Sequence, residues 1–299
     1  MKKLLILGGL GFLGKHLNKI VDKQKYAVYN ESRRTGFDLL NPEVVQKRLN
    51  DIKPDVIINC AAHTGSLHYV SEFAADVLYD NVSMYLNLYK VVDNALIVNP
   101  LSNCSYPGVV DIQKEEEWWD GPVHDSVLPY GMSKRMGYII SRCHRHVRTI
   151  NLLLPNAYGP LDDTDPNKVH ALNGMIIRMI HTMRNGSEAF VVWGTGKPIR
   201  EWIYMEDAAR LIVKCIERDN LPNPLNLAQA RGISIADTAR TIKEILGFEG
   251  RIIFDPSKKD GAPIKILCDK NFRHNFKDFV FTDYKEGIKR TVEYYKGTL

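Results

Sequence analysis

The chain is sparing with cysteine. Its five cysteines, at positions 60, 104, 143, 215 and 268, form no Cys-x-x-Cys pair. Such scatter argues against a disulfide framework and for reduced thiols in a cytoplasmic protein. Cys143-His144-Arg145-His146 offers metal-ligand side chains, but no second cluster completes a ligand set, so the stretch reads as a charged helix end and no metal is expected. Long apolar runs are also missing: none approaches the ~18 residues a membrane span needs. The opening Met-Lys-Lys-Leu-Leu-Ile-Leu-Gly starts like a signal peptide, yet its apolar run stops at Leu7 and no small-residue cleavage site follows. It reads as a buried strand. Charge is nearly balanced, at +5 from 40 basic and 35 acidic residues, with no dense basic block. That is too mild for a nucleic-acid binder and fits an enzyme handling phosphate-bearing ligands. No repeat or low-complexity tract is visible.

What is present is an alternation. Short apolar runs at Leu4–Leu7, Tyr26–Tyr29, Val56–Asn59, Ala95–Val98 and Thr149–Leu154 are separated by helix-period stretches near Gly11–Val21, Pro42–Leu49, Phe73–Val92 and Tyr130–His146. This predicts an α/β fold with a Rossmann-type doubly wound parallel sheet. After about residue 155 helices near Ala171–Arg184, Glu206–Ile216, Ser234–Leu246 and Tyr284–Tyr295 alternate with short strands and loops. We expect a dinucleotide-binding domain over 1–160 and, over 161–299, a smaller α/β substrate lobe from which the chain is free to cross back. The lobe would close over the strand ends, where open α/β sheets bind ligands.

Gly8-Gly-Leu-Gly11-Phe-Leu-Gly14 follows the first strand and opens the first helix. Glycines there permit a tight turn and let a pyrophosphate approach the helix end. After the second strand, Glu31 competes with Arg33 and Arg34: a carboxylate suits a ribose 2′-hydroxyl, whereas two cations suit a 2′-phosphate and favour NADPH over NAD. Asp38 lies within reach of an adenine.

Tyr130-Gly-Met-Ser-Lys134 puts a phenol and an ammonium on one helix face. A phenol with a pKa near ~10 is a poor proton carrier at neutral pH, and a fixed cation beside it is expected to bring that value down. Ser102 could hydrogen-bond the carbonyl that the tyrosine protonates.

The glycine turn, Ala61-Ala62, Ser102 with Tyr130 and Lys134, and Asn156-Ala-Tyr-Gly-Pro160 stand in one order. Together they resemble the extended short-chain dehydrogenase/reductases. Within them, Ser102-Asn-Cys104-Ser-Tyr106-Pro107, His170 with Arg178 eight residues on, Val191-Val-Trp193-Gly-Thr-Gly196-Lys-Pro-Ile-Arg200-Glu and Asp260-Gly-Ala-Pro-Ile-Lys265 are similar to the GDP-L-fucose synthase family. The resemblance implies Tyr130 as proton donor, Lys134 on the nicotinamide ribose and Arg34 on the NADPH phosphate. It adds Leu39, Ala61, Ala62, Leu154, Asn156, Ala157 and His170 to the cofactor site. Asn156, Arg178, Trp193, Arg200 and Asp260 would bind the nucleotide-sugar. Arginine forks suit phosphate. Trp193 is either a face for a base or sugar or a core tryptophan, and Asp260 either a ligand-binding carboxylate or a turn aspartate.

A C4 keto group acidifies the neighbouring ring protons, so inversion there needs a base on one face and an acid on the other. The resemblance gives these roles to Cys104 and His170; the alternative is a packed cysteine and a histidine that only binds. Two departures stand out. Leu10 replaces an arginine of that family, which keeps NAD open, and His63-Thr-Gly-Ser-Leu differs after Ala62. The expectation is an NADPH-dependent reductase of a GDP-linked 4-keto sugar, with or without epimerisation. That sugar is either a 6-deoxyhexose or a heptose bound for a surface polysaccharide. A nucleotide-sugar 4-epimerase or dehydratase recycling NAD is the alternative. The resemblance also implies a homodimer through Phe73–Val92 and Tyr130–His146.

Overall fold

Leu4 and Ile6 of β1 (Lys2–Leu7) pack into one core and Leu5 and Leu7 into another. A strand apolar on both faces must be covered on both, which is the condition of a parallel sheet flanked by helices. The computed structural model, which describes residues 1–299, meets that condition. From the amino terminus come α1 (Phe12–Ile20), β2 (Tyr26–Glu31), α2 (Pro42–Ile52), β3 (Val56–Asn59), α3 (Leu67–Glu72), α4 (Ala74–Val91), β4 (Leu96–Ser102), α5 (Leu128–Cys143) and β5 (Thr149–Leu154). Next are β6 (Asn156–Tyr158), α6 (Ala171–Arg184), β7 (Ala189–Trp193), β8 (Ile199–Tyr204), α7 (Met205–Ile216), β9 (Leu225–Asn226) and β10 (Gly232–Ser234). The chain finishes with α8 (Ile235–Leu246), β11 (Arg251–Asp255), β12 (Ile264–Lys265), α9 (Lys270–Asn275) and α10 (Tyr284–Thr298).

The main sheet has six parallel strands in the order β2-β1-β3-β4-β5-β9. Strand order reverses between β1 and β3, the switch point at whose carboxyl end such sheets bind ligands. The helix expected over Phe73–Val92 gains a separate turn before it: α3 ends at Phe73, whose backbone (φ −102°, ψ 39°) leaves helical geometry. Residues beyond 160 also contribute to the main sheet and its core. β9 joins the main sheet, while Leu211 and Ile212 of α7 and Phe272 of α9 enter the same core as Leu4. A third core, with Leu172, Ile176, Trp202, Ile242 and Ile288, holds together the remaining strands and helices α6, α8 and α10. No helix is long and apolar enough to cross a membrane.

Candidate active site

At the end of β1 the chain turns through Gly8, whose φ of 73° a side chain would strain. A Cβ at Gly8 would stand 2.8 Å from the Ala61 backbone nitrogen, so the bare backbone lets the β1 and β3 ends meet. Ala61 and Ala62 are half-buried there. Gly14 packs on the Gly8 carbonyl, and Gly11 caps α1 without a side-chain hydrogen bond, so no side chain competes for the first-turn N–H groups. Asn30 Oδ1, pressed against Gly9, is buried without a partner. Bare turn, open helix end and orphaned acceptor fit a dinucleotide phosphate and its ribose.

The rivalry after β2 is settled inside the protein. Glu31 is buried, takes Arg48 at 2.5 Å and accepts from the Thr35 hydroxyl at 3.0 Å. Arg33 and Arg34 are exposed with no ion-pair partner. Asp38 accepts from the Leu40 N–H at 3.0 Å, and the Leu39 side chain is buried in the core.

Across the cleft, Lys134 of α5 is 2% exposed. Its Nζ sits 5.2 Å from the Tyr130 ring centre and donates to Tyr85 Oη at 3.4 Å. Burial brings Lys134 down to about 8. The lowering expected for Tyr130 is absent. Burial pushes the phenol up, Cys104 adds to the rise, and a hydrogen bond with Thr64 offsets only part. The ammonium makes no hydrogen bond to the Tyr130 oxygen in this state. A phenol held protonated is still suited to donate. Ser102, at the end of β4, accepts from the Cys104 N–H at 3.2 Å, and its one hydroxyl proton is shared between the Cys104 sulfur and any bound carbonyl.

Cys104 stands in the opposite balance. Burial alone would raise it, but the Lys265 ammonium 3.1 Å from Sγ, a hydrogen bond with Ser102 and the charge of Arg200 outweigh burial and lower it. His170 begins α6. Burial would lower it, yet Asp162, 3.1 Å from Nδ1, and the Cys104 charge leave it raised. Asp162 is itself held by Asn173 at 2.8 Å. His170 also packs on Phe12 beside the glycine turn, with ring centres 5.2 Å apart.

Leu154 and Ala157 are buried around the β5–β6 bend, and Asn156 donates to the Glu201 carbonyl at 3.4 Å. Arg178 stacks on Trp193, its guanidinium 4.6 Å from the ring centre, and Trp193 is 54% exposed, so it is no core tryptophan. Arg200 donates to its neighbour's carbonyl, Ile199 O, and approaches Gly261. Asp260 spends both oxygens on Thr195, at 3.0 Å from its N–H and 2.6 Å from its hydroxyl, and so ties two loops together. His63, between Asp80 at 2.8 Å and Tyr69 at 2.9 Å, has both ring nitrogens occupied.

Sequence reasoning passed over Thr64, Tyr85, Asp162, Glu201 and Lys265. Glu201 is buried without a cation, accepts backbone N–H groups of Gln229 at 2.5 Å and Leu267 at 2.8 Å, and is raised by burial to about 7. It anchors the strand pair that carries Arg200 and Lys265. Thr64, Glu201 and Lys265 each fall inside a stretch singled out above, without a role assigned, whereas Tyr85 and Asp162 carried no advance signal.

The family model described as the NAD dependent epimerase/dehydratase family matches residues 4–228. The chain belongs to that family. Within the epimerase/dehydratase family it is 28% identical over 305 residues to GDP-L-fucose synthase of Dictyostelium discoideum, covering 98% of this chain and 95% of the relative. A GDP-L-fucose synthetase of Naegleria fowleri, solved bound to NADP, superposes with a TM-score of 0.88 at 27% identity, covering 99% of this chain and 93% of that one. A C. jejuni GDP-6-OMe-4-keto-L-xylo-heptose reductase reaches a TM-score of 0.90 at 21% identity, covering 100% and 98%, a likeness of fold.

Proposed function

We propose that this chain is an NADP-dependent oxidoreductase that reduces the C4 carbonyl of a GDP-linked 4-keto sugar, and that Cys104 and His170 first invert the ring carbons beside that carbonyl. The observation that carries the reading is the pairing of a protonated phenol, Tyr130, with a lowered thiol, Cys104, close enough that the charge of one raises the other. A reductase alone has no use for the second group. NADPH, when bound, supplies the hydride; Arg33 and Arg34 would hold its 2′-phosphate. Cys104 takes a proton from the carbon next to the carbonyl, and His170, kept protonated by Asp162, returns one on the opposite face. Ser102 donates to the carbonyl oxygen, Tyr130 gives it a proton, and Lys134 holds the phenolate left behind. Arg178, Trp193, Arg200 and Asp260 form the nucleotide-sugar side, the sugar being a 6-deoxyhexose or a heptose. Residues 1–160 carry the cofactor side and most of 161–299 the sugar side. Exposed Leu78, Tyr79 and Leu86 on α4 with Met136 and Ile139 on α5 support a homodimer through these helices.

The test is incubation with NADPH and GDP-4-keto sugars of both classes in D2O, read by NMR. One NADPH should be oxidised per sugar, with deuterium at C3 and C5. No oxidation with any sugar overturns the reductase, and oxidation without ring deuterium removes the epimerase step.

A further inference from the structure

A buried tyrosine hydroxyl needs a reason, because phenylalanine fills the same space without a polar atom to satisfy. Tyr89, one turn along α4 from Tyr85, has ordinary reasons: its oxygen meets Asn99 at 2.8 Å and Thr149 at 3.2 Å. Tyr85, 2% exposed, has one hydrogen-bond partner, Lys134 Nζ. Lys134 in turn has no carboxylate. It is faced by Tyr85 from α4, Tyr130 from α5, Cys60 from the turn after β3 and Cys104 from the segment after β4. Its charge therefore rests on one phenol oxygen, that of Tyr85, and on the Tyr130 ring, whose centre is 5.2 Å away. Helix α5 makes room for that ring: a Cβ on Gly137 would stand 2.6 Å from Tyr85 Cε2.

We propose that Tyr85 is a positioning residue for Lys134, its oxygen keeping the buried ammonium charged and held against Tyr130. The proposal rests on the reading of Lys134 as the partner of Tyr130. Removing the oxygen in Tyr85→Phe takes an acceptor from a desolvated cation and so lowers the pH at which it loses its proton. The measurement is the 13Cε shift of Lys134 against pH in lysine-labelled protein, assigned by its loss in Lys134→Arg. In Tyr85→Phe the midpoint should fall by about one pH unit, whereas Tyr89→Phe leaves it in place. The alkaline limb of kcat should move down by the same amount, with activity retained well below the new midpoint. An unmoved midpoint, or equal loss of rate at every pH, overturns the proposal. A displaced midpoint in a protein that turns over no GDP-4-keto sugar supports Tyr85 and defeats the functional reading instead.

Discussion

Two lysines each stand beside a weakly acidic side chain of the site, and the two acids are driven in opposite directions. Lys265 lies 3.1 Å from the Cys104 sulfur, Arg200 adds its charge, and the thiol is lowered. Lys134 stands 5.2 Å from the ring centre of Tyr130 with no hydrogen bond to its oxygen, and the phenol is raised. Proximity of a cation is therefore not what tunes an acid. What counts is whether the cation reaches the atom that bears the charge, and whether that gain exceeds the cost of desolvation. The difference suits the chemistry: one group keeps a proton to give, the other is ready to take one.

The largest effect that would break this contrast is at the donor. Tyr130→Phe should lower NADPH oxidation with a GDP-4-keto sugar by about 10²–10⁴-fold, with NADPH binding by fluorescence retained. Near-normal turnover would make the raised phenol irrelevant. At the thiol, Lys265→Met keeps the bulk and removes the charge. Burial then dominates, the Cys104 midpoint rises, and iodoacetamide alkylation at neutral pH should slow about tenfold. An unchanged rate would place the activation with Ser102 and Arg200 alone.

How far the sequence announces this arrangement depends on the distance over which each signal acts. The sheet was readable because Leu4–Leu7, Val56–Asn59 and Thr149–Leu154 are short, largely apolar runs; the last two become strands with the expected bounds, and β1 starts two residues earlier, at Lys2. β9 has two residues, too few to show any period, so the strand by which the chain re-enters the sheet was invisible. Tyr130 and Lys134 were found by their i, i+4 spacing. That spacing fixes a shared face but not which atom of the ring meets the ammonium, which is why the direction of the Tyr130 shift was misread. Lys265 meets Cys104 across 161 residues, and Tyr85 meets Lys134 from another helix. Such pairs are set by packing and leave no local trace. Arg48 is the plainest case, since nothing in a helix-period run marks it as the residue that takes Glu31 out of contention.

The smallest effect tests the third titrating group, where burial and charge oppose each other. His170 would fall below its ordinary value by burial alone, and Asp162 is the chief reason it does not. Asp162→Asn keeps the side-chain shape and an acceptor for the His170 backbone N–H, so α6 should still begin at the same place. With the charge gone, the His170 midpoint, followed by NMR of its ring protons, should fall by about one unit. The alkaline limb of ring-proton exchange in D2O should move down with it, because less imidazolium survives at neutral pH, while reduction through Tyr130 is unaffected. If the midpoint stays put, the Cys104 thiolate holds His170 protonated from across the cleft, and base and acid are one coupled pair rather than two independently tuned groups.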